Sequence, residues 1–107
     1  MKYVMNSAVV TGPGLYRYRL VDALGASRYL QDGPWLSAIG YPETAEALTM
    51  LTSVAVPVER RQVRLGAGDT ALVFRLTSRV EVAADKGTYS AAWVLAHCEV
   101  GILTREE

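Results

Sequence analysis

Arginine side chains that could bind phosphate groups are concentrated between residues 60 and 79. Five of the eleven basic residues lie in this stretch, and only Asp69 opposes them. The runs "VERRQVRL" and "TALVFRLTSRV" flank the turn signal "GAGD", a pattern that predicts a β-hairpin. We therefore expect a local positive surface on a two-stranded element.

Strand geometry would place the polar residues of this hairpin in two rows, because alternate residues of a strand share a face. The rows are Arg60, Gln62 and Arg64 on the first strand, and Arg75, Thr77 and Arg79 on the second. Facing guanidinium groups could hold phosphates through bidentate hydrogen bonds. A solvated outer face of an antiparallel sheet has the same pattern, and the pattern alone favours that structural interpretation.

A second candidate site lies in "SAIGYPETAEALTML", residues 37–51, where a β-like run breaks at Gly40 and a helix begins at Pro42. The N–H groups of a first turn have no partner in the helix and can bind an anion. Because Pro42 has no N–H, the expected donors are those of Glu43, Thr44 and Ala45. Thr44 also offers its hydroxyl, whereas the Glu43 carboxylate opposes an anion, and such a junction by itself favours a structural role.

Asn6 and Tyr41 each have two interpretations. Asn6 interrupts an apolar strand, and a buried amide needs partners. It therefore either bridges neighbouring backbone or points into a pocket. Tyr41 lies on the turn before the helix, either as a reactive group or as an aromatic cap, and local geometry alone favours the cap.

The remaining reactive residue types indicate neither a metal nor a cofactor. His97 is the single histidine and precedes Cys98 near the end of the last predicted helix, where a helix-capping or surface role is expected rather than catalysis. A His-Cys pair alone is no metal site. The sequence contains no P-loop, nucleophile elbow or dinucleotide fingerprint.

The predicted elements give an α/β (α+β) fold with a mixed, mostly antiparallel sheet flanked by helices. Strands are expected over residues 2–10, in "LYRYRLV" at an edge, in the hairpin and in "EVGILTR". Helices are expected over residues 23–31, with Asp22 as N-cap, over 42–51 and within "TYSAAWVLAHC". The inward side chains of the first helix are expected to be Leu24, Tyr29 and Leu30.

Composition predicts one soluble domain over residues 1–107, because 107 residues with 50% hydrophobic content suffice for one core. The net charge of zero gives no bulk attraction to duplex nucleic acid or to a membrane. Without an apolar run of about 18 residues or a signal peptide, and with one cysteine, the expected location is the cytoplasm.

Several stretches, in order along nearly the whole chain, resemble one family. They are "KYVMNSAV", "GPWLSAIGYPETAEAL", "VPVERRQVRL", "GDTALVFRLTSRV" and "VGILTR". The chain resembles the small DUF1874 domain of viruses, phages and bacteria, similar to a Sulfolobus turreted icosahedral virus protein. Studied members are ring nucleases that act as anti-CRISPRs against type III CRISPR defence.

The resemblance implies a homodimer that encloses cyclic tetra-adenylate across its two-fold axis and cuts it to linear di-adenylate without metal. The host cytoplasm would be the location of a viral member. Position by position, Asn6 matches a ligand-pocket residue, Arg60 a ligand-contacting residue and Arg79 the residue that stabilises the phosphate. Thr44 lies on the ligand-facing helix start.

Two positions depart from the ring nucleases. The resembled enzymes hold a His, taken to be the general acid, where this chain has Tyr41, and the Glu expected after Arg79 has no clear counterpart, because Glu81 is near but the best register gives Val82. A phenol gives up its proton less readily than an imidazolium, so we expect slow cleavage or none. Three hypotheses follow: a weakened ring nuclease, a non-catalytic binder of cyclic nucleotide, and a structural or partner-binding protein.

Overall fold

The computed structural model describes residues 1–6, 12–77 and 91–107. Five strands and three helices follow one another along this part of the chain. In order they are β1 (Lys2–Met5), β2 (Tyr16–Leu20), α1 (Ala23–Gln31), β3 (Leu36–Ala38), α2 (Pro42–Thr52), β4 (Thr70–Leu76), α3 (Ala91–Ala96) and β5 (Cys98–Arg105). The predicted α+β class is confirmed.

The strands form one mixed sheet in the order β2-β5-β4-β1-β3. β1 is parallel to both of its neighbours, with Met5 opposite Ala38 of β3 and opposite Val73 of β4. β5 is antiparallel to both β4 and β2. The predicted edge position of β2 is confirmed.

The two faces of the sheet are covered differently. On one face, which we call the helix face, buried side chains of the sheet such as Leu72 and Phe74 pack against the three helices, including Leu48 of α2. On the opposite face, which we call the loop face, Met5, Ala71, Val73 and Leu103 pack under an extended segment, residues 58–65. Val63 and Leu65 are the buried residues of that segment.

The helix boundaries follow from capping chemistry. The Asp22 carboxylate accepts the Gly25 N–H at 2.8 Å and caps α1, as predicted, and Gly33 follows that helix with φ at +87°. α2 begins with Pro42 in its first turn and ends at Ser53, whose left-handed backbone donates its N–H to Thr49. No helix in the described ranges is both long and apolar enough to cross a membrane.

The predicted β-hairpin is wrong. Residues 58–65 form no strand, although Val63 and Leu65 are buried on either side of the exposed Arg64, as in an extended chain. The physical reason is that both edges of β4 are already paired, one with β1 and the other with β5. The extended segment therefore packs onto the sheet through its apolar side chains instead of joining it.

Two further expectations need correction or restriction. Leu24 was predicted to face inward but is 58% exposed, and the buried residues of α1 are Ala26 and Leu30. The first strand was predicted to reach residue 10, but it ends at Met5, and residues 7–10 lie outside the described part of the chain. The last predicted helix is confirmed from Ala91 to Ala96.

Candidate functional site

A cavity of 240 Å³ opens at the carboxyl ends of β1 and β3, and we call it the carboxyl-edge cavity. Its lining residues come from the ends of two parallel strands, the turn before α2 and the extended segment; they are Asn6, Ala38, Gly40, Tyr41, Arg60 and Arg61. Parallel strands end at the same edge of a sheet, and ligands of α/β sheets bind outside these ends. Four of the seven residues predicted for the site are thus brought together.

The backbone of Tyr41 is fixed at the start of α2, and its ring is accessible to solvent. It is the N-cap residue of α2, with φ −123° and ψ 128°, and its carbonyl accepts the Ala45 N–H at 3.1 Å. Its side chain makes no capping hydrogen bond and is 54% exposed. The ring is therefore available to a ligand.

Arg60 reaches the same turn from the extended segment. Its Nε donates to the Gly40 carbonyl at 3.3 Å, and its guanidinium carbon lies 5.7 Å from the centre of the Tyr41 ring. This is the geometry of a cation–π contact. Within the described ranges no carboxylate lies at ion-pair distance from Arg60, so its charge remains available to an anion.

Arg61 is a lining residue that the sequence pattern missed. Its Nε donates to the Ser37 carbonyl at 2.8 Å, and its terminal nitrogen pairs with Glu59 at 2.8 Å. Strand alternation had placed Arg61 on the face opposite Arg60. Because the segment is not a regular strand, both arginines border one cavity, and the neighbouring basic pair "RR" was the available signal.

Arg75 lies outside the cavity lining. It is directly opposite Glu99 on β5, and its Nε donates to that carboxylate, to which the Tyr18 hydroxyl also donates at 3.3 Å. The hydrogen bond with Glu99 raises the pKa of the Arg75 guanidinium further above its usual value. Alternation with Val73 puts Arg75 on the loop face. Because residues 60–64 form no strand, the predicted facing rows of arginines do not form among the described residues.

The start of α2 provides fewer donors than predicted. The Ala45 N–H is bonded to the Tyr41 carbonyl, which leaves the N–H groups of Glu43 and Thr44 without a partner among the described residues. Thr44 is half-buried and does not line the cavity. Arg79 and Glu81 lie outside the described part of the chain.

His97 and Cys98 have structural contacts. The His97 ring stacks on Trp93 at 4.2 Å, and its Nδ1 lies 2.8 Å from the Trp93 carbonyl at the end of α3, which confirms the capping role. The Cys98 thiol contacts the Leu95 carbonyl, and burial raises its pKa. In the described ranges no group of three or more His, Cys, Asp or Glu side chains could hold a metal ion.

Comparison with known proteins identifies relatives in viruses. Over 83 residues the chain is 32% identical to protein ORF117 of Acidianus two-tailed virus, a match covering 73% of this chain and 71% of that protein. It is 32% identical over 85 residues to protein 26 of Sulfolobus islandicus filamentous virus, covering 76% and 72%.

A solved structure has the same fold. B116 of Sulfolobus turreted icosahedral virus superimposes with a TM-score of 0.73 over 97% of this chain and 98% of that protein, at 17% identity. Residues 2–90 match the STIV B116-like family. The chain therefore belongs to the STIV B116-like family.

Proposed function

We propose that this protein binds cyclic tetra-adenylate, or a related cyclic oligoadenylate, at the carboxyl-edge cavity. The observation that carries the proposal is the convergence of Asn6, Gly40, Tyr41 and Arg60 on one cavity. The resemblance to ring nucleases implied ligand roles for Asn6 and Arg60 and a catalytic role at position 41, and these positions are far apart in sequence.

The chemistry of the lining suits a nucleotide. A guanidinium without a carboxylate partner can donate two parallel hydrogen bonds to a phosphodiester. An exposed aromatic ring stacks on a base, as Tyr41 could on adenine. The Asn6 amide can both donate to and accept from an adenine edge.

The size of the cavity supports a site shared between two chains. Small-molecule pockets usually measure about 300–1,000 Å³, whereas this cavity measures 240 Å³ and a cyclic tetra-adenylate has four nucleotides. A symmetric dimer would present the cavity twice to a ligand with repeated units. We therefore propose a homodimer, and light scattering that gave a mass near 11.6 kDa would contradict it.

Cleavage, where it occurs, would be transesterification without metal. The ribose 2′-hydroxyl attacks the adjacent phosphorus and releases its proton to solvent, while the bond to the 5′-oxygen breaks and a 2′,3′-cyclic phosphate forms. Tyr41 donates a proton to the leaving 5′-oxygen, and Arg79 stabilises the phosphate. General acid catalysis contributes about 10²–10⁴ in rate, and a phenol supplies less of it than an imidazolium, so we expect slow turnover.

The same cavity without turnover would make the protein a sponge for the cyclic nucleotide. The observation that favours this second candidate is the tyrosine at the position where the resembled enzymes hold their His. The two candidates share the ligand and differ only in what happens to it.

One assay separates these candidates. The protein is incubated with labelled cyclic tetra-adenylate in EDTA, and both retained ring and linear products are measured. Multiple-turnover formation of di-adenylate would exclude the sponge, and tight retention of intact ring would exclude the enzyme. Absence of both would contradict the proposal and leave a structural or partner-binding role.

Tyr41→His tests the role of position 41. An imidazole there should raise the cleavage rate by about 10²-fold, the lower end of the range for general acid catalysis. Single-turnover kinetics with saturating protein isolates the chemical step. Tyr41→Phe is the control, since it keeps the ring for stacking and loses the proton; equal rates in all three proteins that bind would show that position 41 is not the acid.

A further inference from the structure

A second cavity lies between α1 and the β2–β5 edge of the sheet, and we call it the α1 groove. It measures 630 Å³ and shares no lining residue with the carboxyl-edge cavity. This volume falls within the range of about 300–1,000 Å³ that small-molecule sites occupy. The α1 groove is therefore large enough for a small-molecule ligand, whereas the carboxyl-edge cavity of a single chain is smaller than this range.

The fold creates this groove because the helices do not cover the whole sheet. Edge strand β2 is exposed along Arg17–Leu20, and Arg19 lies opposite Ile102 of β5 on the helix face. Arg28 comes from α1, on the other side of the groove. Val21 and Ile102 are half-buried and give the groove an apolar floor.

The α1 groove is rich in positive charge. No carboxylate of the described ranges lies at ion-pair distance from Arg19 or Arg28, whereas the neighbouring Arg17 pairs with Glu106 at 2.7 Å. Lys2 adds a third cation beside the groove, because its Nζ lies 4.2 Å from the centre of the lining Tyr29 ring. Asp32 is the acidic lining residue, and Lys2 donates to its backbone carbonyl.

We propose that the α1 groove is a ligand site for a phosphomonoester of nucleotide size. Arg19 of β2 and Arg28 of α1 both line the groove, and their guanidinium groups would donate to the phosphate oxygens. The apolar floor of Val21 and Ile102 would contact the base, and the Asp32 carboxylate would accept hydrogen bonds from ribose hydroxyls. The lining combines positively charged groups that can bind an anion with an apolar surface, as small-molecule sites do.

Titration of ¹⁵N-labelled protein with adenosine monophosphate tests this site. Amide resonances of Val21, Gly25 and Ile102 should shift and saturate. Loss of a charged hydrogen bond costs about tenfold or more in affinity, so Arg19→Gln and Arg28→Gln should each raise the dissociation constant by at least about tenfold. Both residues are exposed, and thermal unfolding of each variant verifies that it folds.

Two control variants test whether the loss of affinity is specific to the arginines of the α1 groove. Arg17→Gln removes a neighbouring charge on the same face of β2, and Arg60→Gln removes one of the two arginine charges that line the carboxyl-edge cavity. Both variants should leave the groove shifts and their midpoint unchanged. Absence of saturable shifts at millimolar ligand, or shifts that persist in Arg19→Gln and Arg28→Gln, would overturn the proposal. Saturation of the groove by single-stranded RNA below the adenosine monophosphate midpoint would also overturn it.

Discussion

The two faces of the sheet differ in what covers them and in what they carry. Three helices cover the helix face, where Leu72 and Phe74 of β4 are at most 1% exposed. The loop face is covered by the extended segment through Val63 and Leu65, whose backbone adds no strand to the sheet. Arg60 and Arg61 of the carboxyl-edge cavity belong to that segment.

We interpret this difference as a division between a core that stabilises the fold and the proposed ligand site. Binding residues are disproportionately found on loops that a rigid scaffold positions. Here the helix face supplies the scaffold, and the segment on the loop face brings two arginines to the strand ends. Substitutions in the buried core of the helix face should therefore change the stability of the fold, and substitutions of the segment residues that line the carboxyl-edge cavity should change ligand binding there.

The largest effect is expected from Phe74→Ala. Removing a buried phenyl ring from the helix-face core costs about 3–5 kcal/mol of unfolding free energy because a cavity remains. Leu65→Ala, which removes a smaller buried side chain on the loop face, should cost about 2–3 kcal/mol, the low end for Leu→Ala changes, because a covering segment can move inward. Urea unfolding measures both; an equal or larger loss in Leu65→Ala would contradict the division.

A smaller effect is expected from Ser37→Ala, which tests how the segment is attached. Ser37 is 3% exposed, and its hydroxyl donates to the Pro57 carbonyl at 2.6 Å and accepts the Ile39 N–H at 3.3 Å. Its loss leaves both backbone groups without this partner, which costs about 1–3 kcal/mol.

Gln62→Ala on the exposed side of the same segment is the control for Ser37→Ala and should change stability by less than about 0.5 kcal/mol. Urea unfolding of both variants provides the comparison. Similar values for the two variants would show that the Ser37 hydroxyl does not hold the segment.

The smallest effect concerns acid stability at the turn that joins the segment to β4. The Asp69 carboxylate accepts the Gly66 N–H at 2.8 Å and pairs with the terminal ammonium of Met1, which keeps the Asp69 pKa below its usual value. A depressed folded-state pKa stabilises the fold above the unfolded pKa, and this stabilisation is lost as the pH falls through the lower folded value.

Asp69→Asn should therefore be less stable than the wild type at neutral pH, and the difference should narrow as the pH falls below about 4. Urea unfolding at several pH values measures it. A difference that stays constant from neutral to acid pH would show that the Asp69 charge is not responsible.

Local sequence signals predicted most elements of the fold. Asp22, Pro42 and Gly33 mark helix ends by their own backbone chemistry, and the alternation in "YRYRL" identified the edge strand. The hairpin prediction failed because pairing partners are not encoded locally. The turn "GAGD" fits a hairpin, but the sheet order is decided by β1 and β5, which are distant in sequence and occupy both edges of β4.

The site shows the same limit. Residue type identified Arg60 and the Gly40-Tyr41 turn, and the structure brings them together with Asn6. Alternation in an assumed strand excluded Arg61 and grouped Arg75 with the ligand residues, although Arg75 pairs with Glu99. Residue type therefore predicted members of the candidate site correctly, whereas alternation along an assumed strand did not.

The central claim is that the carboxyl-edge cavity binds a cyclic oligoadenylate, and equilibrium titration of cyclic tetra-adenylate into wild type and Arg60→Gln tests it most directly. Arg60 is exposed and carries no ion pair within the described ranges, so its replacement should change stability by less than about 0.5 kcal/mol. The dissociation constant should rise at least about tenfold in Arg60→Gln and stay unchanged in Arg17→Gln. Equal affinities in all three proteins, or no binding by the wild type, would contradict the account.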